Sequence, residues 1–272
     1  MKSKDLFPAI FSRHAADYKQ RLDEIMARGE ARGRQRVIDA LDVHPGMRVV
    51  DLACGPGTLS EPLAQRVAPG GEVVGVDLAP GMIELARALV IPNARFEVMD
   101  IEQLDFPDAS FDAAACGHGL QFVPDLGRAL REVHRVLRPG SRFAASIPID
   151  GGHQAWSALD RVVDRWLPPA PQPTDRNATR SVVGDAGAFR GALRDAGFGQ
   201  ADVEVVEQKV VWDSAEQLVE RAMSWWDLAS RVDAISPEKR ERFVDEAVES
   251  VRSEHPGRIE TFARNHVAVA TA

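Results

Sequence analysis

Two carboxylates and two glycines at fixed spacing are the residues of this sequence with the clearest chemical meaning. The run VVDLACGPG at 49–57 leads an apolar strand into Asp51 and then into Gly55 and Gly57. Glycine lacks a Cβ atom, so a ligand can approach the backbone there and a positive φ costs little. A second apolar run, EVVGVD, ends at Asp77, twenty residues after Gly57. Dinucleotide folds place a ribose-binding acid at about this offset, so the spacing predicts a site for an adenosine compound.

The residues after the glycine loop favour a cationic adenosine compound over a dinucleotide. A dinucleotide-binding turn needs a third glycine and a helix N-terminus aimed at pyrophosphate, whereas the letters TLS follow Gly57 here. Asp51 would repel a phosphate and attract an ammonium or sulfonium group. A nicotinamide-dependent oxidoreductase is therefore disfavoured. Thr58 and Glu61 have the spacing of a capping box, which predicts that a helix begins at this point.

Four segments, taken in order, resemble the motifs of class I S-adenosylmethionine-dependent methyltransferases, in the type 11-like branch that methylates small molecules. They are the glycine loop, the acid that ends EVVGVD, and the segments 96–112 and 116–146, and the resemblance covers about 45–147 closely. It implies S-adenosyl-L-methionine as cofactor, with S-adenosyl-L-homocysteine as its product. It also implies an α/β fold with a doubly wound, mostly parallel, seven-stranded Rossmann-like sheet.

The same resemblance implies roles for single residues. Asp77 matches the acid that accepts the ribose hydroxyls, and Asp100 with Ile101 matches the pair beside adenine. Asp51 would orient the loop or the ammonium group of the cofactor. The full set of expected cofactor contacts is Tyr18, Asp51, Ala53, Gly55, Gly57, Asp77, Leu78, Met82, Asp100, Ile101 and His118. The three acids also suit ordinary strand-end caps or turns, which is the alternative interpretation.

His118 is the first candidate for a general base, which the reaction needs only if the methyl acceptor is a hydroxyl or a protonated amine. It follows the fourth predicted strand, and imidazole titrates near neutral pH. Its alternative role is a hydrogen bond within the loop. Gln121, Phe122 and Trp156 are expected substrate contacts, although core packing explains a phenylalanine or a tryptophan equally well. No histidine spacing indicates a metal site, so no metal is expected.

Alternating strand and helix patterns predict parallel strands joined by crossover helices. Strands are expected near 48–53, 72–77, 94–98, 111–116, 141–147, 201–212 and 266–271. One or two helices at 13–41 should precede them. We divide the chain into an N-terminal helical cap at 1–44, a cofactor-binding core at 45–150, and a remainder at 151–272 that adds the last two strands. Helical lid insertions for the substrate are expected near 151–184 and 213–256, and one helical face is continuous over 215–230.

Composition limits the choice of partner. The formal net charge of −8 and the lack of a basic stripe argue against nucleic acid, although 13–36 is locally basic. No run of eighteen apolar residues occurs and the N-terminus lacks an apolar signal block, so we expect a cytoplasmic protein with no membrane partner. Fourteen acidic and seven basic residues lie between 201 and 256. This excess would attract a cationic or amine substrate, or it reflects solvated helix faces.

The predicted function is a methyltransferase that uses S-adenosylmethionine and acts on oxygen, nitrogen or carbon of a small molecule, in bacterial specialised metabolism. The alternative is a protein that binds the same cofactor without transferring methyl, as a cyclase or a regulatory module. The sequence identifies neither the substrate nor the accepting atom, and it leaves a homo-oligomer open.

Overall fold

A computed structural model describes residues 1–149, 154–175 and 177–272. Within these residues the strands are β1 Arg48–Leu52, β2 Glu72–Asp77, β3 Ala94–Val98, β4 Phe111–Gly117, β5 Leu137–Ile149, β6 Ala201–Trp212 and β7 Ile259–Thr271. They form one sheet in the order β3-β2-β1-β4-β5-β7-β6. The first five strands are parallel to one another, and β7 runs antiparallel to β5 and β6. The predicted α/β fold with a mostly parallel, seven-stranded sheet is confirmed.

Helices cover both faces of this sheet. They are α1 Ser3–Arg13, α2 Ala15–Ala27, α3 Arg32–Ala40, α4 Ser60–Val67, α5 Pro80–Ala88, α6 Leu126–Val136, α7 Gln154–Trp166, α8 Thr179–Gly184, α9 Ala186–Asp195, α10 Ala215–Ala222, α11 Trp226–Val232 and α12 Pro237–Glu254. Along β1, Val50 packs in one apolar cluster with residues of α6 and α9, and Val49 packs in another with residues of α3 and α4. A parallel sheet needs this two-sided cover because both of its faces are apolar.

Three helices, not one or two, precede the sheet. The segment 3–13 forms α1, which lies before the predicted helical region. Phe7 and Ile10, three residues apart, are both buried on α1. Ser3 donates from its backbone N–H and its hydroxyl to one oxygen of Asp175, at 2.7 and 2.8 Å. The first turn of α1 is thereby joined to the proline-rich segment that follows α7.

The predicted capping box is wrong. Helix α4 begins at Ser60, and Leu59, in place of Thr58, occupies the N-cap position without a side-chain cap hydrogen bond. The hydroxyl of Ser60 donates to Asp51 Oδ2 at 2.6 Å. A polar contact between the end of β1 and the start of α4 therefore takes the place of a cap.

The second insertion also differs from its prediction. The apolar face over 215–230 is divided between α10 and α11, because the backbone is extended at Trp225, with φ −77° and ψ 141°. Strand β7 begins at Ile259 and not near 266, because it pairs with β6 from Trp212 onwards. The division of the chain into cap, core and remainder stays a prediction, and its boundary at 150–151 lies outside the described residues.

Candidate functional site

A cavity opens at the carboxyl ends of β1, β2 and β4, and we call it the rim cavity. It contains about 780 Å³ of unfilled space, counted with its opening to solvent. Strands β1 and β4 are neighbours in the sheet but not in the chain, so the cavity lies at the point where a doubly wound sheet reverses its strand order. Ligands bind at such points in doubly wound sheets.

Nine of the eleven expected cofactor contacts line the rim cavity, namely Tyr18, Ala53, Gly55, Asp77, Leu78, Met82, Asp100, Ile101 and His118. Gly55 has φ +56°, and a Cβ atom there would have no neighbour within 4 Å. Gly57 has φ +89°, and its Cβ would stand 2.8 Å from Leu89 Cδ1. Of these two glycines, Gly55 opens to the cavity, whereas Gly57 permits close packing of the loop against α5 and its following turn.

Asp77 holds the glycine loop in place. Its Oδ2 accepts the backbone N–H of Gly55 at 2.9 Å, and its Oδ1 accepts that of Ala79 at 2.8 Å. Burial raises the pKa of Asp77, and these backbone hydrogen bonds oppose that change. The carboxylate is partly exposed on the cavity wall, so it can meet a ligand while it orders the loop.

Asp51, the other expected contact outside the cavity lining, is buried behind the loop with 1% of its surface exposed. Its Oδ2 accepts from Ser60, and its Oδ1 has no hydrogen-bond partner among the described residues. Burial raises the pKa of Asp51 to about 7, and the negative charge of Asp77 adds to this effect. A carboxylate with an unsatisfied oxygen suits a cationic partner at neutral pH.

Asp100 shares its carboxylate with Lys4, a residue that sequence reasoning did not assign. Asp100 Oδ1 accepts the backbone N–H of Glu102 at 2.9 Å, and Asp100 Oδ2 lies 2.6 Å from Lys4 Nζ. Lys4 Nζ is also 2.6 Å from Glu102 Oε2. Helix α1 brings Lys4, Phe7 and Phe11 into the cavity wall. The only local signal for this role was the apolar spacing of α1.

His118 stands at the end of β4 in a left-handed backbone conformation, with φ 66°. Such values are uncommon outside glycine and cluster at functional positions. Its backbone N–H donates to the carbonyl of Ser146 at 2.9 Å, and its Nε2 has no partner among the described residues. Burial lowers the pKa of His118 well below its usual value, the charges of Arg34 and Arg21 lower it further, and the Asn265 side chain opposes them. The imidazole is therefore neutral at pH 7.

Residues 50–145 match the methyltransferase domain family. They include β1, the glycine loop and the C-terminal ends of β2 and β4, which together build the rim cavity. This segment is a methyltransferase domain. The predicted family resemblance is confirmed.

Relatives share this methyltransferase domain to different extents. The chain is 42% identical over 139 residues to the 2-phytyl-1,4-naphtoquinone methyltransferase of Synechococcus elongatus. That match covers 46% of this chain and 57% of that protein. It is 28% identical over 239 residues to the nocamycin O-methyltransferase of Saccharothrix syringae. That match covers 82% of this chain and 84% of that protein. Several other curated relatives are matched over 41% to 62% of their length. The chain thus spans about half the length of most of these curated relatives.

A solved structure supports the fold. The YcgJ protein of Bacillus subtilis superposes with a TM-score of 0.54 at 18% sequence identity, over 88% of this chain and 98% of that one. At this identity the likeness concerns the fold of the methyltransferase domain and its additions. None of the described helices combines the length and the hydropathy that a membrane crossing requires. No three His, Cys, Asp or Glu side chains of the described residues are grouped as metal ligands.

A second and larger cavity adjoins the methyltransferase domain, and we call it the aromatic cavity. It contains about 1,800 Å³ of unfilled space on the same measure. Four side chains line both cavities and form the shared wall, namely Phe11, Tyr18, His118 and Phe122. Gln121 and Trp156 line the aromatic cavity as well. All three expected substrate contacts are therefore on its surface.

Most of the aromatic cavity comes from segments outside the methyltransferase domain. The Trp156 ring lies 5.0 Å from that of Trp225 and 5.7 Å from that of Trp212, measured between centroids. The break between α10 and α11 places Trp225 and Trp226 in this wall. Arg21 of α2 and Arg34 of α3 line the same cavity, and sequence reasoning assigned them no role.

Proposed function

We propose that this protein is a methyltransferase that uses S-adenosyl-L-methionine and acts on a small molecule. The observation that supports this most is the rim cavity, in which a methyltransferase domain presents an open glycine and partly exposed carboxylates at the switch point of the sheet. The relatives named for quinone and nocamycin methylation are small-molecule enzymes. Specialised metabolism of a bacterium is the setting we favour, because the nocamycin enzyme matches along most of this chain.

The residues present fit the three parts of the cofactor. Asp51 is buried behind the glycine loop with one oxygen unsatisfied, and its negative charge would attract the ammonium group of the methionine moiety. Asp77 faces the cavity where the ribose hydroxyls would bind, and Gly55 leaves room for the chain between them. Asp100 and Ile101 would hold adenine, with Lys4 sharing the Asp100 carboxylate. The bound cofactor supplies a methyl group attached to a positively charged sulfur.

The protein contributes mainly alignment and exclusion of water. Phe11, Tyr18 and Phe122 form an aromatic part of the shared wall, with Phe11 5.2 Å from Phe122 and 5.7 Å from Tyr18 between ring centroids. An acceptor in the aromatic cavity would meet the methyl group at this wall. Correct orientation of two reactants can supply roughly 7–11 kcal/mol of the barrier reduction.

We place His118 nearest to the methyl acceptor. A neutral imidazole has one donor and one acceptor nitrogen, and Nε2 has no partner among the described residues. His118 can therefore hydrogen-bond the acceptor, and it is the candidate proton acceptor for a hydroxyl that arrives protonated. Its lowered pKa makes it a weak base. Oxygen is the acceptor atom that we favour, in agreement with the name of the nocamycin relative.

Labelled cofactor tests the proposal. Purified protein is incubated with S-adenosylmethionine that carries a labelled methyl group and with a bacterial metabolite extract, and products are measured by mass spectrometry. We expect one small-molecule product that gains the label. A product that changes without the label would indicate the cyclase alternative, and failure to bind S-adenosylhomocysteine in calorimetry would contradict the proposal. A cytoplasmic location stays a prediction.

A further inference from the structure

Two arginines on the aromatic cavity have no carboxylate partner in the described part of the chain. Arg21 donates from Nη1 to Ser224 Oγ at 3.3 Å, its Nε is buried without a partner, and its guanidinium lies 5.4 Å from the centre of the Tyr18 ring. Arg34 is only 7% exposed, and its Nη2 lies 3.4 Å from the hydroxyl of Tyr18. Neither side chain forms a salt bridge within the residues described, although Arg34 is close enough to Asp51 for its charge to lower the pKa of that carboxyl.

The other two arginines on the same cavity form ion pairs, which sets Arg21 and Arg34 apart. Arg221 pairs with Glu24 at 2.9 Å and Arg264 with Glu207 at 3.0 Å. Of the three carboxylates on the cavity, Glu30 pairs with Arg28 at 3.1 Å, the charge of Asp227 opposes the lowering of the Arg180 pKa by burial, and Asp160 has an interaction of its own. Buried charges are normally paired because desolvation is costly. Within the described residues, Arg21 and Arg34 thus leave positive charge on this cavity that no salt bridge offsets.

The unpaired charge lies next to the shared wall. A Cβ atom on Gly117, which lines the rim cavity, would stand 3.6 Å from Arg34 Nε. Both arginines are close enough to His118 for their charges to lower its pKa. Burial lowers the pKa of Arg21 to about 10, and no carboxylate counteracts it there. The guanidinium remains charged at neutral pH, at the place where a methyl acceptor must be held.

We infer that the methyl acceptor is a conjugated or aromatic small molecule with an acidic hydroxyl, bound as its oxyanion by Arg21 and Arg34. This inference rests on the proposed function. Guanidinium groups bind oxyanions through charge-assisted hydrogen bonds, and the rings of Trp156 and Trp225 supply apolar walls for the conjugated part. A cationic or amine substrate does not suit this cavity. The acidic excess between 201 and 256 includes solvent-facing ion pairs such as Glu249 with Arg252 at 3.0 Å.

The transfer step needs no proton acceptor when the oxygen is already ionised. An electron pair of the oxyanion forms the new bond to the methyl carbon, and the pair of the broken carbon–sulfur bond stays on sulfur. The sulfonium becomes a neutral thioether and the oxyanion becomes a neutral ether, so charge balances without release of a proton. His118, which is neutral and a weak base, then only positions the acceptor.

The probe that tests this inference is 4-nitrophenol, which ionises near neutral pH and absorbs differently as phenolate. Protein saturated with S-adenosylhomocysteine is titrated at pH 6 with 4-nitrophenol and, in parallel, with 4-nitroanisole, which cannot ionise. We expect the phenolate absorbance to rise on binding, and an affinity for 4-nitrophenol about ten-fold or more above that for 4-nitroanisole. Equal affinities, or no phenolate signal at millimolar probe, would overturn the inference.

Variants then assign the effect to the two arginines. Arg21→Met and Arg34→Met should each lose the phenolate signal. Arg36→Met is the matched control, because Arg36 is 44% exposed and pairs with Glu204 at the surface, and it should retain the signal. Unchanged signals in both cavity variants would also overturn the inference. Calorimetry with S-adenosylhomocysteine on the same samples checks folding and separates the two ideas: cofactor binding without phenolate binding rejects this inference alone, whereas phenolate binding without cofactor binding rejects the proposed function.

Discussion

The rim cavity and the aromatic cavity share a wall but carry opposite charge. The rim cavity has Asp77, Asp100 and Glu102 in its lining and a single lysine among them. The aromatic cavity has Arg21 and Arg34 without carboxylate partners in the described residues. A positively charged cofactor and a negatively charged acceptor would thus be drawn to opposite sides of the same wall. Under the proposed function, this contrast would bring two oppositely charged reactants together at the shared wall.

The largest expected effect is a loss of cofactor affinity at the rim cavity. Asp77→Ala removes the carboxylate that holds Gly55 and Ala79 and faces the ribose position. Hydrogen bonds to charged groups are worth about 1.5–3 kcal/mol each, so we expect affinity for S-adenosylhomocysteine to fall about 100-fold in calorimetry. The exposed Asp105→Asn is the control and should bind normally. Unchanged affinity of Asp77→Ala would remove Asp77 from the site.

The two glycines of the loop differ in their surroundings, because Gly55 faces space for a ligand and Gly57 packs against protein. Gly57→Ala should lower the free energy of unfolding by about 1–3 kcal/mol, because its Cβ would overlap Leu89 Cδ1 and its φ is positive. Gly55→Ala meets no protein atom, so it should cost less stability and reduce cofactor affinity about ten-fold. Chemical denaturation and calorimetry measure the two effects. If Gly55→Ala lost stability and Gly57→Ala lost cofactor affinity instead, Gly57, and not Gly55, would border the ligand.

The raised pKa of Asp51 predicts pH-dependent binding. With a pKa of about 7, the carboxyl is mostly protonated at pH 6 and mostly ionised at pH 8, and only the ionised form attracts an ammonium group. Affinity for S-adenosylhomocysteine should therefore rise about ten-fold from pH 6 to pH 8. Methylthioadenosine, which lacks the ammonium group, should show little change. Asp51→Asn should remove the difference between the two ligands, and its persistence would place the ammonium elsewhere.

The smallest effect is expected at the shared wall. If the acceptor arrives ionised, His118→Gln should slow labelled product formation by no more than about ten-fold, as for a residue that only positions its substrate. Loss of a general base costs about 10²–10⁴ in rate. The rate at which label enters the product of the metabolite extract distinguishes these cases. A loss in the larger range would restore His118 as the base and weaken the idea of an anionic acceptor.

The rim cavity could be predicted from the sequence because its parts are local. A strand, a glycine loop and an acid at a fixed distance belong to one supersecondary unit, and Gly55 and Asp77 both line the cavity. The orientation of Gly57 could not be predicted, because it depends on Leu89 in a later turn. The parallel strands were located within a few residues for the same reason of local pattern, although β5 extends further than its apolar run. The antiparallel strand β7 begins at Ile259, well before its predicted start near 266.

The aromatic cavity could not be predicted, because it exists only in the tertiary structure. Arg21 and Arg34 come from the consecutive helices α2 and α3, whereas Trp156 and Trp225 come from α7 and the turn before α11, which are distant from them in the chain. A basic N-terminal segment looks the same in the sequence whether its arginines face solvent or a cavity. The break before α11 was also hidden, since the apolar spacing of 215–230 continues across it.

A crystal structure with S-adenosylhomocysteine tests the central claim most directly. The account predicts adenosine in the rim cavity, its ribose on Asp77, its ammonium group toward Asp51, and its sulfur at the wall formed by Tyr18, His118 and Phe122. A complex with the sulfur turned away from the aromatic cavity, or with the nucleoside bound elsewhere, would contradict the account.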